Sequence, residues 1–143
     1  LPSTHEAGRL YSKSVAKVPV SFCGAPKYQS LRSGFPESLS KAPMILPTVH
    51  SKLRHDLEHY LKTAGITMDI VAETQDTSLQ KLMGVDGIGI IPIPIIAVED
   101  LIKAGSLISL GKLPGIFEEF YLVAASRKIE NPISSQLMKS FRL

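Results

Sequence analysis

Between Met44 and Leu110 the chain alternates short apolar runs with amphipathic stretches, and this alternation limits its possible folds more than any other feature. Met44-Ile45-Leu46, Asp69-Ile70-Val71-Ala72-Glu73, Gly87-Ile88-Gly89-Ile90-Ile91-Pro92 and Leu107-Ile108-Ser109-Leu110 have the length and composition of strands. Between the first two, residues 49–64 place Leu53, Leu57, Tyr60, Leu61 and Ala64 on one stripe at helical spacing. Thr48 or Ser51 can cap the start of that helix, and Gly65 stands just past its end, where a left-handed backbone is common. Thr77-x-x-Gln80 is a capping-box pattern opening a second helix through Leu79, Leu82 and Met83. A brief third helix through Val98, Leu101 and Ile102 stops at Gly105. Strands alternating with helices predict an α/β fold with a largely parallel sheet.

The flanks add longer extended pieces. Lys17 to Cys23 has strand character, and Pro19, which lacks a ladder donor, suggests an edge or a strand start. Gly24 to Ala42 is rich in Ser, Gly and Pro and is expected to be a long loop, mobile or functional. Phe117 to Ala125 is another strand, and Pro132 opens a terminal helix carrying Ile133, Leu137, Met138 and Phe141.

Composition excludes several functions. The 143 residues are 44% hydrophobic and 20% charged, enough for the core of one ordinary domain. Sixteen basic against thirteen acidic residues leave a net charge of +3, scattered along the chain. Gripping DNA needs clustered cations, so these residues are not expected to grip DNA themselves. Cys23 is the one cysteine, which excludes an internal disulfide and fits a reducing, cytoplasmic setting. The apolar stretch Ile88 to Val98 is too short to span a bilayer and contains Pro92 and Pro94. Leu1 to Glu6 has neither the basic start nor the apolar core of a signal peptide, and the first residue is not Met, so a processed or excised piece is expected.

Candidate chemical groups have plain readings beside functional ones. His55 and His59, four apart, share a helix face as metal ligands do, yet they lie opposite the leucine stripe among Lys52, Glu58 and Lys62. No third or fourth ligand is signalled, so no metal site is expected. Gly84, Gly87 and Gly89 close a helix and open a strand, the reverse of a dinucleotide loop; one of the first two should end the helix while Gly89 permits close packing. Cys23 reads as a buried structural thiol. Glu118 and Glu119 would point to opposite faces of a strand, a poor acid/base pair. Neither a catalytic group nor a cofactor site emerges. Thr48, Ser51, Gln75, Asp76 and Thr77 remain: they are either simple helix caps or the polar wall of a cleft at two strand ends, where helix N-termini present unpaired N–H groups.

The order of segments resembles the effector domain of LysR-type transcription regulators. The likeness runs from Tyr11-Ser12-Lys13-Ser14 and strand Val18–Cys23 through Pro43 to Thr48, helix Leu53–Ala64 and Val71 to Leu82. It continues through the glycine strand 87–92, Phe117 to Val123, Arg127 and Asn131-Pro132. Within the family, Leu46-Pro47-Thr48, Ala72-Glu73-x-x-Asp76 and Glu118-Glu119-Phe120-Tyr121 are most similar to a regulator that activates a sodium/proton antiporter. The resemblance implies a type 2 periplasmic-binding-protein-like fold of two lobes, with residues 43–115 as the second lobe. Residues 11–25 and 117–143 would then hold the crossover strands and the remainder of the first lobe. It also implies effector contacts from Thr48, Val49, His50 and Ser51, from Gln75 and Asp76, and from Ile93 and Pro94, with a hinge at Val20, Phe22, Tyr121 and Val123.

The winged helix-turn-helix and the first half-lobe are missing from these residues, so a one-sided cleft and self-association are expected. The function implied is sensing of a small-molecule or ion effector, sodium or alkaline pH in the narrower reading, with transcriptional activation as output. A periplasmic solute-binding protein of a transporter shares the fold and is the alternative. A two-lobed biosynthetic dehydratase is a further one, for which only His50 and Asp76 offer chemistry.

Overall fold

Met44, Ile45 and Leu46 are apolar in succession because the strand they form is covered on both faces. In the structure, a computed structural model that describes residues 10–125, all three are fully buried. Successive strand side chains point to opposite faces. Accordingly Met44 and Leu46 join one apolar cluster with Leu57, Leu61, Val20 and Phe22, and Ile45 joins another with Cys23, Ile91, Ile93 and Leu107.

The elements follow the chain as β1 (Leu10–Gly24), β2 (Pro43–Leu46), α1 (Lys52–Thr63), β3 (Asp69–Glu73), α2 (Thr77–Val85), β4 (Ile91–Pro94), α3 (Glu99–Lys103) and β5 (Ile108–Ala125). β2 and β3 pair in parallel, with Leu46 opposite Glu73 and a register shift after Met44 that leaves Val71 bulged and half-exposed. A single parallel bridge joins Met44 to Ile90. β4, β1 and β5 form a second sheet, in which β1 and β4 are antiparallel from Val20↔Pro94 to Cys23↔Ile91. The pairing is therefore mixed where the alternation predicts a largely parallel sheet: the βαβ pieces are parallel, and β1 runs against them.

Four further expectations are corrected. β1 is central in its sheet, between β4 and β5, although Pro19 suggests an edge. The register with β4 starts only at Val20, so the missing N–H of Pro19 costs no bond on that side. The segment after Gly24 is not a bare loop: 3-10 helices at Pro26–Arg32 and Glu37–Leu39 fold it onto the body. Leu39 is fully buried, Tyr28 donates its O–H to the Gly87 carbonyl at 2.7 Å, and Arg32 Nε donates to the Ser109 carbonyl at 2.9 Å. The strand placed at 87–92 is paired at 91–94 instead. Its glycine end serves a close approach, since a Cβ on Gly89 would lie 2.8 Å from the Pro43 carbonyl oxygen. Finally, the two strands expected at 107–110 and 117–125 fall in one long strand, Ile108–Ala125, continuous through Gly115 at φ +77°.

Other local expectations hold. Gly65, Gly87 and Gly105 take positive φ just after α1, α2 and α3. The terminal helix expected from Pro132 lies outside the described residues. The chain divides into two compact units, residues 19–117 and residues 1–18 with 118–143; both apolar clusters belong to the first. Among the described residues, no helix is long and apolar enough to cross a membrane.

Candidate functional site

Parallel pairing brings the carboxyl ends of β2 and β3 side by side, and each strand is followed by a capped helix start. The Thr74 N–H donates to the Leu46 carbonyl at 3.1 Å, carrying the ladder one step past the strands. Gln75 then reaches across, its Nε2 donating to Thr48 Oγ1 at 2.8 Å. Two loops far apart in sequence become one polar rim. At the start of α1, Ser51 Oγ accepts from the Arg54 N–H at 3.3 Å, so Ser51 is the cap and Thr48 is left for the cross-loop bond. At the start of α2 the cap is Asp76: Oδ1 accepts from the N–H groups of Ser78 at 2.9 Å and Leu79 at 3.3 Å. This corrects the Thr77/Gln80 capping box. Gln80 turns inward instead, is buried, and reaches the Ile45 carbonyl at 3.5 Å. Thr74 Oγ1 accepts from the Asp76 N–H at 3.0 Å and fixes the turn before the cap.

Beneath the rim lies Arg54, which the sequence reading missed. Its side chain is only 7% exposed. Nη1 donates to the Pro47 carbonyl at 2.8 Å and to Glu73 Oε2 at 2.6 Å, while Nε donates to Glu58 Oε2 at 2.6 Å. Burial alone would lower the guanidinium pKa, but the bonds to Glu73 and Glu58 outweigh it and the pKa is raised. One cation thus ties the end of β3, the first turns of α1 and the Pro47 turn into a single unit. The i,i+4 spacing of Arg54 and Glu58 is the signal that was available; Glu73, nineteen positions on, comes within reach only through the fold.

The remaining expected contacts fall in different settings. Val49 and His50 are exposed between the β2 end and Ser51, Val49 at 60%. Ile93 and Pro94 are buried in β4, opposite Ser21 and Val20 on β1. Of the hinge residues, Val20 and Phe22 are fully buried in β1, whereas Tyr121 and Val123 on β5 are more than half exposed. Cys23 is buried, and burial pushes its thiol up to about 12. His55 and His59 lie exposed on α1; among the described residues no three His, Cys, Asp or Glu side chains are grouped to hold a metal.

Parallel strand ends meeting two capped helix starts are the arrangement in which α/β proteins receive small ligands, and the comparisons with known proteins agree in class. Residues 2–142 match the LysR substrate binding domain, and the chain belongs to that family, whose fold is of the type 2 periplasmic-binding-protein kind. It is 26% identical over 133 residues to the transcriptional activator protein NhaR of Escherichia coli strain K12, and equally to that of Shigella flexneri. The match covers 92% of this chain but 43% of those proteins, so the chain spans less than half their length. Among solved structures, the regulatory domain of HypT from Salmonella typhimurium superposes with a TM-score of 0.67 at 14% identity, over 96% of this chain and 66% of that one. The effector binding domain of AmpR from Citrobacter freundii gives 0.69 at 12% identity, over 92% and 66%. At such identities these structures speak for the fold alone.

Proposed function

We propose that the chain is the effector-sensing part of a LysR-type transcription activator, and that the rim of Thr48, Ser51, Gln75 and Asp76 receives the effector. The observation that carries this reading is the Gln75–Thr48 hydrogen bond, which joins the starts of α1 and α2 into one surface. A solute that exchanges for this bond, or bridges it, favours one arrangement of the two loops; that difference in affinity is what an allosteric signal requires. Val49 and His50 supply the exposed flank of the same site, with Ile93 and Pro94 as further contacts and Val20, Phe22, Tyr121 and Val123 as the hinge. DNA is bound by another part of the whole protein, in a homo-oligomer. Membership in a regulator family favours this over a transport protein or an enzyme.

The narrower form of the proposal makes sodium the effector, linked to alkaline pH. It is supported by the likeness to NhaR and by the oxygen ligands available from Thr48, Ser51 and Asp76. Two helix N-termini oppose a cation, so the Asp76 carboxylate must supply the compensating charge. The test is to follow the backbone amides of Thr48, Gln75 and Asp76 by NMR in the 143-residue chain, in sodium and in potassium chloride at equal ionic strength. Sodium-specific shifts that disappear in Asp76→Asn are expected. Equal shifts in the two salts sink the sodium reading, and a screen of small solutes at the same amides then decides whether the rim is a site at all.

A further inference from the structure

Along the flank of α1, between its leucine stripe and its solvent face, lies an open groove of about 710 Å³ whose lining includes no residue of the rim. One wall is this flank of α1, with Lys52, His55, Asp56, His59 and Tyr60. The other is the stretch Pro114–Ile116 of β5. Gly115 interrupts the extended backbone of this stretch with φ +77°, and a Cβ built there would meet nothing within 4 Å. Both walls belong to the compact unit 19–117, and β5 leaves that unit two residues after Gly115.

The lining is rich in hydrogen-bond donors. Lys52, His55, His59, Tyr60 and Thr63 all carry donor hydrogens, and the single carboxylate, Asp56, already accepts from Lys52 Nζ at 2.7 Å. Tyr60 keeps its hydroxyl proton all the more firmly: burial raises its pKa, and Glu37 adds to the effect. Ala64 and Pro114 contribute apolar surface, and Ile116, which also borders the groove, is buried. The volume lies within the usual range for sites of small organic ligands, about 300–1,000 Å³. An occupant that matches carries an acceptor-only head for the donors and a flat apolar body for the strand side.

We propose that this groove between α1 and the Pro114–Gly115 kink is a second ligand site, which takes small organic acids with an aromatic or compact aliphatic body. The carboxylate lies toward His55 and His59, and the body rests on Pro114 and Ala64. A ligand there bridges α1 and β5 just before β5 leaves the unit, so it acts on the strand from a position separate from the rim.

The test is an NMR titration of the 143-residue chain with 2-naphthoate, reading the methyl groups of Ala64 and Ile116 together with the amides of Thr48 and Gln75. Saturable shifts of both methyls are expected, with the rim amides unmoved. The neutral analogue 2-naphthalenemethanol should bind at least about tenfold more weakly, since charge-assisted hydrogen bonds are roughly twice as strong as neutral ones. His55→Gln/His59→Gln should weaken naphthoate by a similar factor, and Thr63→Phe, which fills the groove from an exposed helix position, should abolish the shifts. Absence of saturation, equal binding of acid and alcohol, or undiminished binding in both variants overturns the proposal. Shifts confined to Thr48 and Gln75 overturn it equally, by placing the acid at the rim.

Discussion

Replacing Arg54 by Met keeps the length of the side chain and removes the cation that Glu73, Glu58 and the Pro47 carbonyl share. Both glutamates are partly exposed, so water can take over much of their solvation, and the loss should be moderate. A destabilisation of about 2 kcal/mol is expected in urea unfolding, below the 3–5 kcal/mol of a fully buried broken pair. The Thr48 and Gln75 amides should shift as well, because the Pro47 turn loses its anchor; an unchanged rim spectrum would show that Arg54 serves stability alone. Cys23 gives the opposite kind of residue-scale prediction. A thiol pushed up to about 12 stays protonated at neutral pH, so iodoacetamide at pH 8 should modify the folded chain far more slowly than the unfolded one. By linkage, this buried neutral thiol contributes stability that is intact below the unfolded value near 9 and is lost as pH rises toward 12. The thiol's burial was legible from its apolar strand. The burial of Arg54 was not, because a cation on a helix face is ordinarily solvated and its decisive partner sits on another element.

At the scale of elements, Asp76 holds the start of α2 through two backbone N–H groups. Asp76→Ala should cost about 1 kcal/mol, the usual loss for such a cap, with hydrogen exchange rising at Ser78 and Leu79 first. If exchange there stays slow, the cap is not what fixes this helix start. The same element shows how a sequence signal can mislead by one residue. Thr77-x-x-Gln80 fits the capping-box pattern, but Asp76 is the residue placed to accept both N–H groups, and the Ile45 carbonyl lies within reach of the Gln80 amide. The segment after Gly24 errs in the other direction. Its turn residues were plain, whereas the anchoring of Tyr28 at Gly87 and of Arg32 at Ser109 spans separations of 59 and 77 residues, beyond any local pattern.

For the molecule as a whole, Glu118 stands where β5 passes out of the unit 19–117, and burial pushes its carboxyl upward. A raised carboxyl favours the protonated folded state, so its contribution is complete below the unfolded value near 4.5 and is lost as pH rises through the folded value. Glu118→Gln should therefore gain stability on the parent chain between pH 4 and pH 7, as thermal unfolding at the two pH values would show; parallel melting curves would mean that the carboxyl is solvated after all. What the sequence by itself determined is what depends on neighbours along the chain. Apolar runs specified buried strands, the leucine stripe specified the inner face of α1, and glycines just past the helices specified where these end. The order of those elements was enough to point to the family. Only the tertiary structure decided that β1 is central rather than an edge, that 108–125 is one strand, that Gln75 meets Thr48, and that Arg54 is buried. Each of these depends on groups brought together from distant positions, where side chains and backbone find partners that no local spacing can specify.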